Sequence, residues 1–336
     1  MARSRSRKLL SRILWFDPDA RNEAESTASV PDPVMQDEQV DLQSYEIQPE
    51  AETPHEPRRR PAPLEVKITD TAIVFAGSHG LPASDATTRA EMGWEALKEY
   101  RDNFASGFAI HNYQPLPRRM EDFDRAMGDM YDPRNVVRIW SQGQRIQQLA
   151  RDPDFLAMLP VGVPDDLKGF AAAISLYAER FPDVIAYRDD VSPDDRSPAN
   201  VRAGAAEFKA IDAILSQMPE AELVVKEEYR AEVEAGTGER ADAEASKAIV
   251  ASTGELMRET AEQAQQKRNR KLARMGGEVV EDFIVKPLGL PYHFARLVEK
   301  PMRALSERFP NRMGWAAQWY DLTFGQDEDR MEDGAL

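Results

Sequence analysis

The chain contains no cysteine. That excludes disulfides, thiolate nucleophiles, iron–sulfur clusters and cysteine-based zinc sites. Histidine is nearly as scarce: only His55, His79, His111 and His293 occur, too far apart in sequence to make a local metal motif. No stretch approaches the ~18 consecutive apolar residues that a membrane-spanning helix needs. The most informative absence is that of proline between residues 220 and 286. The other parts of the chain carry all 23 prolines, eight of them in the first 63 residues. A proline inside a helix costs roughly 3 kcal/mol. A proline-free stretch rich in Ala, Glu, Gln, Lys and Arg therefore reads as a long helical element.

Acid is in excess, with 59 Asp and Glu against 43 Lys and Arg and a net charge of −16. A chain with that balance is not built as a whole to neutralise phosphates. Contact with nucleic acid or anionic lipid must come from local basic patches. One such patch is the start. Arg3, Arg5, Arg7, Lys8 and Arg12 are unaccompanied by acid, and Leu9, Leu10, Ile13, Leu14 and Phe16 share one side of a helical wheel. Residues 15–57 follow with twelve acids, one base and six prolines, a composition that cannot bury enough surface to offset chain entropy. The apolar start is short and broken by Arg12, and no small-residue cleavage site follows, so no secretory signal is read.

The reading divides the chain into a disordered acidic arm over 1–64 with a short basic amphipathic start, a mainly helical body over 65–218, a long helical element over 219–286, short proline-punctuated helices over 287–325 and an acidic tail over 326–336. The fold class is mostly α with one or two short strands. Val66–Ile68 and Ala72–Phe75 suggest a strand or hairpin, and Val184–Tyr187 a second short strand pairing with it. Asp132-Pro133, Asp152-Pro153 and Ser197-Pro198 mark helix starts. The helices drawn are 85–105, 118–130, 133–150, 153–159, 164–181 and 198–218, then 220–235 and 239–286 on either side of Gly236-Thr237-Gly238, and finally 291–299, 301–309 and 311–324. The long helix has a thin stripe of Ala245, Ile249, Ser252, Leu256 and Thr260. It tests poorly as a coiled-coil heptad, because Gln263 and Lys267 take the next core positions. Such a helix calls for a partner chain, its own domain or many side-chain pairs to be stable.

Several groups of residues invite a functional reading. Gly77-Ser78-His79-Gly80 follows a strand-like run and reads foremost as a glycine-bracketed turn, with a site around 77–113 as the enzymatic alternative. His111 reads as a loop histidine. No catalytic, cofactor-binding or metal-ligating residue is assigned. Lys267, Arg268, Arg270, Lys271 and Arg274 form a basic cluster that goes around most of a helix rather than along one stripe. Trp315 and Trp319 suit an interface or a helix packed on its own domain. The favoured function is a non-enzymatic structural or interaction protein, an oligomer-forming assembly or adaptor component. Protein partners or self-association would be met through Ile249, Leu256, the basic cluster and the two tryptophans. The alternatives are a peripheral membrane-associated factor anchored through Leu9, Leu10, Ile13, Leu14 and Phe16, and an enzyme. The expected location is cytoplasmic, or peripheral at a membrane, and nucleic acid is the least favoured partner.

Overall fold

A computed structural model describes the backbone of residues 59–77, 84–190, 192–274 and 289–333, and side chains within these ranges except at 84–87, 271–274 and 325–333. The chain from Pro57 onward forms one compact unit. It is mostly α, as the composition implies. A hairpin of β1 (Val66–Ile68) and β2 (Ile73–Phe75) precedes α1 (Ser84–Ser106), α2 (Leu116–Met127), α3 (Val136–Arg151), α4 (Pro153–Met158), α5 (Val163–Ala178), α6 (Pro182–Asp189), α7 (Pro198–Ala203) and α8 (Ala205–Gln217). Then come α9 (Leu223–Thr237), α10 (Ala243–Arg274), α11 (Leu290–Arg308) and α12 (Pro310–Asp333).

Two apolar clusters make the core. The first gathers α1–α6 around Phe123, Trp140, Phe170 and Tyr187. The second gathers the hairpin and α7–α12 around Phe208, Tyr229, Phe294 and Tyr320. The core thus divides near residue 190, and the helices of 198–217 pack with the later elements rather than with 90–187. α10 lies between the clusters: Ala251 belongs to the first, Ile249, Val250, Leu256 and Met257 to the second. Many polar residues in its first five turns are buried too, and the segment from Leu64 to Ile68 explains two of them. Ser252 Oγ accepts from Leu64 N–H at 3.1 Å, and Glu259 Oε1 from Ile68 N–H at 3.2 Å. These side chains satisfy backbone donors, one before β1 and one on its edge, that would otherwise be orphaned in the interior. The other edge, on β2, is satisfied by the backbone around Ala221, where Ile73 N–H donates to Glu220 O at 2.9 Å and Glu222 N–H to Ile73 O at 2.9 Å.

The structure corrects four expectations. Residues 184–187 are helical, not a strand: Pro182 opens α6, Asp183 sits in its first turn, and Val184 and Tyr187 share its buried face. A four-residue apolar run cannot by itself distinguish strand from helix, and the helix-start chemistry prevails. The separate helices 291–299 and 301–309 are one helix that passes through Pro301. Phe294, Val298, Met302 and Leu305 continue a single buried stripe across the proline, and tertiary packing outweighs its local cost. Gly204 instead breaks 198–218 into α7 and α8.

The fourth correction concerns the segment just ahead of Glu65. The described chain starts at Arg59, ahead of Glu65, and Pro61 to Leu64 are buried. Arg59 pairs with Glu65 at 2.7 Å and with Asp183 at 3.3 Å. Arg312 Nη2 donates to the carbonyls of Arg60 and Pro61 at 3.2 and 3.3 Å. This strap places Ala62 in the first cluster and Leu64 in the second. The rest of the expected arm, 1–58, and the stretch of the long helix beyond Arg274, with its Gly276-Gly277 kink, lie outside the described residues.

Candidate functional site

α10 does not need a second chain. Its whole expected stripe, Ala245, Ile249, Ser252, Leu256 and Thr260, is buried, with Ile249 0% and Leu256 3% exposed, and α9, α11 and α12 of the same chain supply the second cluster around it. Ile249 and Leu256 are therefore core residues rather than surface contacts. In the basic cluster, Lys267 pairs with Asp70 at 2.7 Å, and Arg268 and Arg270 are exposed. Lys271 and Arg274 lie on the last turn of α10, and their side chains fall outside the described residues. Trp315 and Trp319 are half-buried against the second cluster, Trp319 edge-on to Tyr320 at 5.1 Å, with Leu322 53% exposed one turn further on. His111 is exposed in the turn Ile110–Asn112. Gly77 has φ 66 and would, with a Cβ, meet Arg134 at 2.2 Å, so its glycine is a backbone requirement. His79, Leu9, Leu10, Ile13, Leu14 and Phe16 lie outside the described residues.

A concavity lies elsewhere, between α2 and α9. Arg118, Glu121, Asp122 and Arg125 recur at i, i+3, i+4 and i+7 on α2, so they share one face; Leu116, Met120, Phe123 and Met127 take the other and enter the core. On α9, Glu227, Arg230, Ala231 and Glu234 repeat the same spacing, with Val225, Tyr229 and Val233 turned inward. The two charged stripes face each other across a recess of about 510 Å³. An adjoining recess of about 430 Å³ shares Gln114, Arg118 and Glu234 with it and extends to Arg145 and the α9–α10 turn at Gly238–Ala241.

Asp242 anchors this end. Its Oδ1 accepts from Ala245 N–H at 2.8 Å, capping α10 where the helix dipole favours a carboxylate. Its Oδ2 meets Arg119 Nη1 at 2.5 Å and Arg145 Nε at 3.3 Å. Arg145 Nη1 reaches Asp122 at 3.0 Å and Gln142 at 2.8 Å. Deeper, Arg138 pairs with Glu228 at 2.5 Å. A chamber of about 20 Å³, room for a single water, adjoins both recesses and is lined by Asp122, Arg138, Arg145 and Glu232 among others.

Glu232 is the unusual group there. It is buried, and its Oε2 has no hydrogen-bond partner. Burial pushes its carboxyl up to about 8, only partly offset by the Ser252 hydroxyl. The folded chain thus holds this proton far more tightly than the unfolded one. Stability from the group is complete below about pH 4.5 and is lost as pH rises through about 8. Glu232→Gln mimics the protonated form. Between about pH 5 and pH 8.5 its urea midpoint should fall less than the wild type's, and parallel pH profiles for the two would mean that Glu232 is ionised in the fold.

Other perturbed groups are sealed at the junction of the clusters. Burial lowers Lys247 to about 8, where its Nζ donates to Tyr187 O at 2.5 Å. Burial raises Asp195 to about 6 and Glu65 to about 7. Lys247 is 3% exposed, and none of the three lines the groove. Among the described residues, no three His, Asp or Glu side chains converge to hold a metal ion, and no helix is long and apolar enough to cross a membrane. No protein-family model, curated protein or solved structure matches the chain. The groove carried a sequence signal that went unread: two stripes of charge at helical spacing, each backed by an apolar stripe.

Proposed function

We propose that this chain is a non-enzymatic interaction protein, an assembly or adaptor component, and that the α2–α9 groove is where it meets a protein partner. One observation carries the reading. The groove holds two adjoining recesses, and its lining is Arg, Glu, Asp and Gln with small and proline residues; no Ser, Thr, His, Lys or Tyr is among them. Such a surface recognises by charge and hydrogen bonding. Lys247 and Asp195 are buried away from it; of the acids that burial raises, Asp122 lies in its wall and Glu232 in the chamber behind it. Self-association through Ile249 and Leu256 is withdrawn, since those side chains are in the core.

A photo-cross-linking residue at Arg118 or Glu227, both exposed on the groove walls, should trap one discrete protein in the source cell. The same probe at exposed Lys209 on α8 should not. A trapped species of twice the chain mass would make the partner a second copy. Groove positions that trap nothing, or that trap what Lys209 traps, would remove the reading.

A further inference from the structure

The two ends of the groove differ in charge. The 510 Å³ recess sets three arginines, Arg118, Arg125 and Arg230, against four acids, Glu121, Asp122, Glu227 and Glu234. The 430 Å³ recess sets four arginines, Arg118, Arg119, Arg145 and Arg240, against Glu234 and Glu239, both exposed. Asp242 beside it pairs with Arg119 and with part of Arg145. The remainder is unspent. Arg145 is 5% exposed, and its Nε and Nη1 are held by Asp242, Asp122 and Gln142. Its Nη2 has no partner among the described residues, and Arg118 and Arg240 form no hydrogen bond or ion pair there.

A guanidinium fixed by two carboxylates cannot swing away, so its free edge is a pre-organised donor, and a planar fork of that kind matches the oxygens of a carboxylate or phosphate. Two exposed arginines beside it, without an ion pair among the described residues, add positive charge that the fold does not use. We propose that the recess formed by Arg118, Arg119, Arg145 and Arg240 binds a multiply charged oxyanion, a phosphate or a carboxylate cluster, with Arg145 as the fixed donor. This rests on the groove being an interaction surface and names the chemistry that its partner presents. The neighbouring recess, with one more acid than arginine, would not select an anion.

The test uses the full chain, with pyrophosphate and citrate as probes and sodium chloride at matched ionic strength as reference. Either anion should raise the melting temperature in a saturable way at or below about 10 mM. Arg118→Ala/Arg240→Ala removes two exposed, unpaired side chains; it should melt like the wild type in chloride and need about tenfold more anion for the same rise. A response to pyrophosphate alone identifies a phosphate-bearing ligand, and one to citrate alone a carboxylate-bearing ligand. No response in the wild type, or the same response in the double variant, overturns the proposal. If groove cross-links persist in that case, the interaction reading survives and only the oxyanion is lost.

Discussion

Ile249→Asp/Leu256→Asp should fail to fold. Both side chains are sealed in the second cluster, and α9 approaches so closely that a Cβ on Gly236 would lie 2.6 Å from Ile249 Cγ2. Each substitution forfeits roughly 1.5–3 kcal/mol of apolar burial and forces a carboxyl into a site with no partner, at a cost of several kcal/mol more. The sum for two sites rivals the about 5–15 kcal/mol that holds a typical domain together. Circular dichroism should show no cooperative melt. The graded control is Ile249→Val, worth about 0.5–1.5 kcal/mol, which should lower the melting temperature and leave the mass by light scattering unchanged. A double variant that melts near the wild type but changes in mass would return the stripe to a contact between chains.

Arg312→Met should have the next largest effect. The guanidinium pairs with Asp190 and donates to the Arg60 and Pro61 carbonyls, while its stem packs on α10 at Gly254. One residue thus ties together the strap, the loop after α6, and α10. Methionine keeps much of the stem but takes the donor from two carbonyls and from the half-buried Asp190, which keeps only Arg60 at 3.6 Å. Removing one partner of a buried pair costs about 3–5 kcal/mol, a fall in melting temperature on the order of 10 °C for a chain of this size. Adding Asp190→Leu should restore part of the loss, because the stranded charge goes with it. A fall of less than about 2 °C would mean that the strap is held by its apolar residues alone.

Much of the helical architecture was legible from local chemistry. Asp132, Asp152 and Ser197 each accept from a backbone N–H one turn on, as their place before proline implies. Phe208, Ile211 and Leu215 bury the face that their spacing marks out, and the break between α9 and α10 falls at the expected glycines. These features depend on residues within a turn or two of each other, where capping and periodicity act directly.

What covers each face was decided elsewhere. The thin stripe of α10 does not by itself support a helix, because Ser252 adds little apolar surface to it and Thr253 and Glu259 lie outside it. They are buried, as acceptors for Leu64 and Ile68 and as a partner of Tyr229, contacts that join segments from distant parts of the sequence. The strap likewise reads as an arginine- and proline-rich tail until Arg312 is brought to its carbonyls. The groove exists only because the charged stripes of α2 and α9 are set opposite each other, about a hundred residues apart. Periodicity states which side of a helix avoids water; it carries no information about the surface that will cover that side, and only the packed chain determines whether a polar residue meets solvent, a strand edge or a facing row of charge.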